Sequence, residues 1–501
     1  MNRNIIIAIS LVYCACSCQS PASKDPKREF HTRHVAQPVW EERPDMVEFY
    51  WTAWRQAWDH VLYQDGVVQS PYMDEGLWLN TIWIWDTEFM AMYCKYAYNL
   101  YPGVESLDNF YGPILNNKAS SLRIHHPDNP PFYAWVEAES FKFTNDYNRI
   151  ERLINDDAFL PRYYNWFNQL KKGKQLEFNH SPIEAEFREI GFLWEGNPSG
   201  MDNTPRGREQ RPQILWVDAL AQQALSALYI HRLAVEVENQ ELSETFKAEY
   251  ERIKKMINTY YWDEEDGFYY DILESDHSFV KVKTPASYWV MLAEIPSKEQ
   301  AARMVEYAKS PDFFGGKAPW VSVSRSDQDF NGEYGDYWRG AIWIPTAYMA
   351  TKALELYGYQ ELANDLSYNL VTHMLKTYYL YRPHTIWECY SPNKYEPSFR
   401  VRKEGLEEVR EDFCGWSALA PISLFIENVL GFYEVNAQTN VVRWNKHLRG
   451  IHGIKNLKFG NVVTDIVGDD ATVTVRSNSD YMLYINKKPY KISKGKNEFT
   501  L

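Results

Sequence analysis

Residues 216–237, WVDALAQQALSALYIHRLAVEV, decide the fold. Leu220, Ala224 and Leu228 recur at helical spacing on one face, so the run reads as an amphipathic helix. The same period appears upstream in MVEFYWTAWRQAWDHVL (46–62), where Phe49, Ala53 and Ala57 share a face. It returns in TAYMATKALELYGY (346–359), with Ala347, Ala350, Leu354 and Tyr357. Between such helices lie loops rich in Gly, Pro, Asn and Trp. None opens with G-x-G-x-x-G and no βαβ alternation appears, which argues against a doubly wound nucleotide fold. Helical pattern holds from Pro44 to Val435; roughly 390 residues at about 30–35 per helix and loop give around twelve helices. A single globule of alternating helices is most economically an α/α barrel, although the count alone leaves a helical solenoid open.

The texture changes after residue 436. In DDATVTVRSNSDYMLYINKKPYKISKGKNEFTL (469–501), Ala471, Val473 and Val475 alternate with Thr472 and Thr474, the signature of short strands. This 436–501 stretch is expected to be a small β appendage with a capping role. At the other end, MNRNIIIAISLVYCACSCQS has a basic start at Arg3, an apolar run Ile5–Val12 and then small residues and cysteines. The run is too short to span a bilayer and has the shape of a secretory signal. Its cysteine end resembles a bacterial lipoprotein signal covering residues 1–18, with Cys18 the expected lipidation site and Cys16 second. Residues 19–43 then form a tether and extended segment. Cys94, Cys389 and Cys414 remain; they make neither a disulfide framework nor a zinc site.

The net charge is −14, with no block of Lys or Arg. A nucleic-acid partner is thereby excluded, since the basic stripe it needs is missing, and a neutral substrate fits best. Aromatics reach 16 % of the chain, and many stand beside Gly, Asn, Asp and Arg in polar runs where a buried core would not put them. Aromatic faces in polar loops suit ligands with both apolar and polar surfaces, sugars above all.

Four stretches combine carboxylates with such aromatics: LWLNTIWIWDTEFMAMY (77–93) with Asp86, WEGNPSGMDNTPRG (194–207) with Asp202, EYGDYWRGAIWIP (333–345) with Asp336, Trp338 and Arg339, and YRPHTIWECYSPNKYEPS (381–398) with Glu388. Singly, each is explained by turn formation or capping. Together they suit hydrolysis of a glycosidic bond, which needs one protonated carboxyl for the leaving oxygen and a second for water or the ring. Trp and Tyr around Asp202 and Glu388 would supply both a sugar platform and the desolvation that keeps an acid protonated near neutral pH. The twelve histidines form no obvious pair.

The series WIWDTEF, GNPSGMDNTPRG, DYWRGAIW, IWECYSP and DFCGWSALAP resembles glycoside hydrolase family 63 and its relative, the trehalase family 37, over about residues 70 to 430. That resemblance implies an all-α fold, an (α/α)6 barrel over residues 44–435 with the small C-terminal β appendage, and hydrolysis with inversion. Carried onto this sequence, it implies Asp202 as general acid and Glu388 as general base. It implies a sugar-binding role for Trp85, Asp86, Trp338, Arg339, Tyr390 and Trp416; Trp194 and Trp387, beside the two carboxylates, complete the expected lining. Met201 departs from the trehalase branch, which has Trp before the acid. Arg206 is expected to brace the loop, and Glu195 either to help keep Asp202 protonated or to sit at the surface.

The expected activity is that of an inverting, exo-acting glycosidase on a neutral α-linked sugar, a glucoside before a mannoside or galactoside. It needs no metal or organic cofactor, takes an oligosaccharide or glycoside as partner, and works lipid-anchored at a bacterial cell envelope. The rivals are a polysaccharide lyase or sugar epimerase on the same barrel, and a non-catalytic glycan-binding lipoprotein.

Overall fold

The computed structural model describes residues 22–24, 29–77, 80–129, 132–176, 182–207 and 213–501; the signal, with Cys16 and Cys18, lies outside them. The stretch at 216–237 folds as the helix Val217–Glu236, with Leu220, Ala224 and Leu228 buried. Its other faces are buried as well, including Asp218, Gln222 and Gln223, as befits a helix covered on all sides. The helix Gln240–Tyr260 packs against it but buries only the stripe Ser243, Phe246, Tyr250, Ile253 and Ile257. One is an inner helix and the other an outer one.

Six inner segments close a ring. Ile84–Cys94, Tyr133–Thr144, Val217–Glu236, Tyr288–Leu292, Ile344–Leu356 and the run 416–429 each touch the next, and the last touches the first. Pro44–Asp59, Phe159–Asn168, Gln240–Tyr260 and Gln360–Leu380 pack on that ring from outside. This is the α/α-barrel class of fold. No helix among the described residues is long and apolar enough to cross a membrane.

The chain is not all-α. A sheet lies among the barrel loops, its strands in the order Phe279–Val280, Asp271–Leu273, Ile214–Leu215, Phe192–Leu193, Glu186–Phe187. Strands of two or three residues are too short to show a period of two, so the sequence did not announce them. From Glu434 onward the chain is β, in one four-stranded and one five-stranded sheet. In the strand Thr472–Ser477, Val473 and Val475 face inward as expected, while Ala471 precedes it and is exposed. The edge strand of the five-stranded sheet comes from the N-terminal arm: Gln37–Trp40 pairs with Lys455–His452. Trp40 also lies 6.5 Å from Phe425 of the inner ring, so this arm ties the β layer to the barrel.

Candidate active site

Three inner helices, Ile84–Cys94, Val217–Glu236 and Ile344–Leu356, are each entered through a tryptophan in extended conformation: Trp83, Trp216 and Trp343. A cavity of about 350 Å³ opens at this end of the barrel. Its wall includes Trp83, Trp85, Asp86, Asp202, Glu388 and Trp416, which come from three of the four aromatic-and-acid stretches and the GWS segment. The positive end of the helix Ile84–Cys94 thus borders a cluster of carboxylates.

The loop carrying Asp202 leaves the strand Phe192–Leu193 and returns through Ile214–Leu215, and Leu193 pairs with Leu215 at its base. Arg206, fully buried, forks onto two carboxylates: Asp218 at 2.7 and 2.8 Å and Asp271 at 2.6 and 2.8 Å. It also stacks 4.3 Å over the Trp216 ring. Arg206 therefore braces the loop, through carboxylates. Gly200 is required by geometry: its φ is +78°, and a Cβ there would meet the Trp85 ring at 3.0 Å. Glu195 pairs with Lys172 at 3.2 Å and does not line the cavity.

Glu388 is held at both oxygens. The Tyr337 hydroxyl donates to Oε1 at 2.7 Å, and the Arg410 backbone N–H donates to Oε2 at 3.2 Å. Its own carbonyl accepts from the Trp416 indole and the Ser417 hydroxyl. Burial, then the charges of Glu388 and Asp202, push the Tyr337 phenol well above its usual range, so it remains a donor. The Arg400 guanidinium stacks 3.2 Å over the Tyr337 ring.

Two more carboxyls complete the cluster. Asp86, in the first turn of its helix, and Glu75 are hydrogen-bond partners. Burial raises Asp86 to about 8, helped by the charges of Asp202 and Glu388 and opposed by the bond to Glu75. Burial also lifts Glu75 well above its range, with Asp86 adding to it and Arg410 opposing. The pair therefore keeps a proton at neutral pH and can both donate to and accept from sugar hydroxyls.

The other expected lining residues stand outside the wall. Trp338 stacks face to face on Trp343 at 4.0 Å, and Arg339 pairs with Asp329. Trp194 donates to the Asp128 carbonyl at 3.0 Å, and the Tyr390 hydroxyl turns back to the Trp387 N–H. Trp194, Trp338 and Trp387 are each about 1 % exposed. In their place the wall has Glu75, His125, His126, Tyr337, Arg400 and Arg410. The histidines do form a pair, adjacent in sequence with rings 4.1 Å apart, and HH in RIHHP was its visible sign. Glu75, beside Asp74 in YMDEG, carried none.

Residues 174–399 match the mannosylglycerate hydrolase MGH1-like glycoside hydrolase domain. An uncharacterized protein of Borreliella burgdorferi is 26 % identical over 75 % of this chain and 77 % of its own length. The periplasmic trehalase of Escherichia coli is 21 % identical over 64 % of this chain, which spans 63 % of that enzyme. The GH63 mannosylglycerate hydrolase of Thermus thermophilus, solved with glucose, superposes with a TM-score of 0.56 at 17 % identity, covering 75 % of this chain and 99 % of that one. The family-model match and these relatives, on an α/α barrel with this pocket, make the protein a glycoside hydrolase. It is similar to family 63 and to the trehalases.

Proposed function

We propose that this protein is an exo-acting glycosidase that cleaves a neutral α-linked sugar, a glucoside before a mannoside or galactoside, in a single displacement. The observation that supports it is that Asp202 and Glu388, 186 positions apart in the chain, line one aromatic-walled cavity. Asp202 donates its proton to the glycosidic oxygen as the bond from C1 breaks. Water attacks C1 from the opposite face, and Glu388 takes its proton. The products are the free alcohol and the β-anomer of the sugar; afterwards Glu388 is protonated and Asp202 ionised, and both reset through solvent. The Tyr337 hydroxyl and the Arg410 N–H aim Glu388 at the water, while Asp86, Trp85 and Trp416 hold the terminal sugar. A cavity of about 350 Å³ at one end of the barrel supports removal of a terminal residue.

A second reading concerns the leaving group. Arg400 lines the cavity, and the matched domain is named for a hydrolase of mannosylglycerate, whose aglycone is an acid. A carboxylate on the aglycone would suit this guanidinium. The lipoprotein reading of residues 1–18, with Cys18 as anchor, places the enzyme at the cell envelope; the periplasmic trehalase among its relatives supports that side of the membrane.

The test is a panel of aryl, disaccharide and hydroxy-acid α-glycosides, with Asp202→Asn and Glu388→Gln beside the parent. Both substitutions are expected to abolish turnover while the protein still folds and binds sugar. NMR of the fresh product should show the β-anomer first; an α-anomer first would contradict inversion. A product absorbing in the ultraviolet would reveal a lyase, and binding without turnover a glycan-binding protein.

A further inference from the structure

The turn at 335–338 uses backbone that a chain avoids. Gly335 has φ +79°, and Asp336 and Tyr337 follow at +37° and +62°. Two successive left-handed residues, neither of them glycine and one bulky, persist only where surroundings over-determine them.

Asn203 supplies much of that determination. Its Nδ2 donates to the Asp336 carbonyl at 2.9 Å, and its Oδ1 accepts from the Trp338 N–H at 2.8 Å. Its amide thus brackets the strained pair from both sides. The Val401 N–H donates to Asp336 Oδ1 at 2.9 Å, and the Trp343 indole to the Tyr337 carbonyl at 3.0 Å. The product of the strain is direction: Tyr337, not Trp338, reaches the cavity and donates to Glu388. Asn203 is also the residue next to Asp202, so two hydrogen bonds and one peptide link join the loop of one carboxyl to the holder of the other.

We propose that Asn203 is a positioning residue that couples the acid loop to the base: by clamping the left-handed turn at Asp336–Tyr337 it keeps Tyr337 on Glu388 and fixes the span between residues 202 and 388. The proposal rests on Asp202 and Glu388 being acid and base. An inverting hydrolase needs such a device, because its two carboxyls must stay far enough apart to admit one water and no farther, and a displacement of about 1 Å costs on the order of a hundredfold in rate. Without the clamp the turn relaxes, the phenol leaves Glu388, and the carboxylate loses a donor. Loss of a donor to the ionised form raises the pH at which that form appears. The charged and titratable groups around Glu388 are Tyr337, Cys389, Arg400, Arg410, Asp202, Asp86 and Glu75, with His125, His126, Glu407 and Glu408 farther along the same wall, and all are retained in the variant that removes the clamp.

The experiment compares pH profiles of kcat and kcat/KM for the parent, Asn203→Ala, Tyr337→Phe and the double variant. The probe is p-nitrophenyl α-D-glucoside or α-D-mannoside, whichever is hydrolysed. Each single variant is expected to lose about ten- to a hundredfold in kcat with little change in KM, and to move the acidic limb to higher pH. The double variant should lose no more than the worse single one, because both act through one contact. An unmoved acidic limb in Asn203→Ala, or losses that multiply in the double variant, would overturn the coupling. If Asn203→Ala does not fold, Asn203→Ser carries the same comparison. Full activity in Asp202→Asn or Glu388→Gln would instead overturn the acid and base assignment itself, so the two failures are distinct.

Discussion

Replacing Asp86 with asparagine should make the protein more stable and less active, and the gain in stability should depend on pH in a defined direction. Asp86 is 4 % exposed and held at about 8, chiefly by burial, against about 4 in an unfolded chain. Between those values the folded protein binds a proton here that the unfolded chain has released. Stability therefore declines as pH rises through this window, by about 1.4 kcal/mol per pH unit per proton, and is level above about 8. The full interval gives on the order of 5 kcal/mol as an upper bound, since relaxation and the shared proton with Glu75 reduce it. The substituted asparagine carries no such cost at any pH. Its amide can donate to Glu75 in place of the shared proton. The Tm of Asp86→Asn, followed by differential scanning calorimetry from pH 5 to pH 9, should pull ahead of the parent by a margin that widens up to about pH 8 and then stays constant. Hydrolysis should fall at least tenfold through a higher KM, as a hydroxyl-binding carboxyl is lost. Parallel Tm curves across the range would refute the assignment of the extra proton to this pair.

Arg206→Met would strand the buried carboxylates of Asp218 and Asp271, so unfolding in urea should show a loss of about 3–5 kcal/mol, whereas replacing an exposed cation such as Arg55, paired with Glu48 at the surface, should cost less than about 1 kcal/mol. Arg400→Ala should lower kcat/KM about tenfold more for an α-glycoside of a hydroxy acid than for a neutral aryl α-glycoside; equal losses on the two would remove the case for an anionic aglycone.

The helices were legible because burial imposes a period. Phe49, Ala53 and Ala57, or Ala347, Ala350 and Leu354, lie inward in the structure as their spacing requires. The distinction between an inner helix and an outer one was not drawn from the sequence: the run 216–237 reads as amphipathic, yet Val217–Glu236 is buried on all sides, because its polar Asp218, Gln222 and Gln223 are covered as well. Within the site, Asp202 announced itself by its setting, an aspartate among turn formers, and Asp86 by the tryptophans Trp83 and Trp85 before it. What the sequence concealed is local direction. In DYWRG the eye goes to Trp338 and Arg339, but the left-handed backbone at Asp336 and Tyr337 advances the pocket-facing residue by one, to Tyr337. Around Glu388, the neighbouring Trp387 and Cys389 are buried away from the cavity wall. Glu75 was hidden for another reason. It belongs to the site through a long-range fit against Gly415, where a Cβ would meet Glu75 Cγ at 2.7 Å, and no local pattern encodes such a contact.

The two ends of the inner helix Ile84–Cys94 show why the pocket is built from carboxyls that titrate late. Just past its C-terminus Lys95 pairs with Glu427 at 3.0 Å, and Lys352 of another inner helix pairs with the same carboxylate at 2.5 Å. Burial raises Glu427, but Lys352 and Lys95 outweigh it and bring the carboxyl down to about 2. At the N-terminus, roughly 13 Å away by the rise of nine residues, Asp86 is as deeply buried and stands at about 8. Burial is common to both groups, so it does not decide between them; the cations do. At the far end two lysines reach the carboxylate and the cluster is a closed, satisfied network that fastens inner helices together. At the pocket end Arg410, although close enough to lower Glu75, donates from its side chain to the Gly76 carbonyl, and Arg400 lies on the Tyr337 ring. Neither is spent on Asp86. A carboxyl paired with a lysine can only accept, and its acceptors are already taken. One that keeps its proton can offer and receive hydrogen bonds alike, which is what a ring of sugar hydroxyls demands. Under the function proposed above, the instability stored at Asp86 and Glu75 is the counterpart of their use: the partner that would relieve it is the substrate.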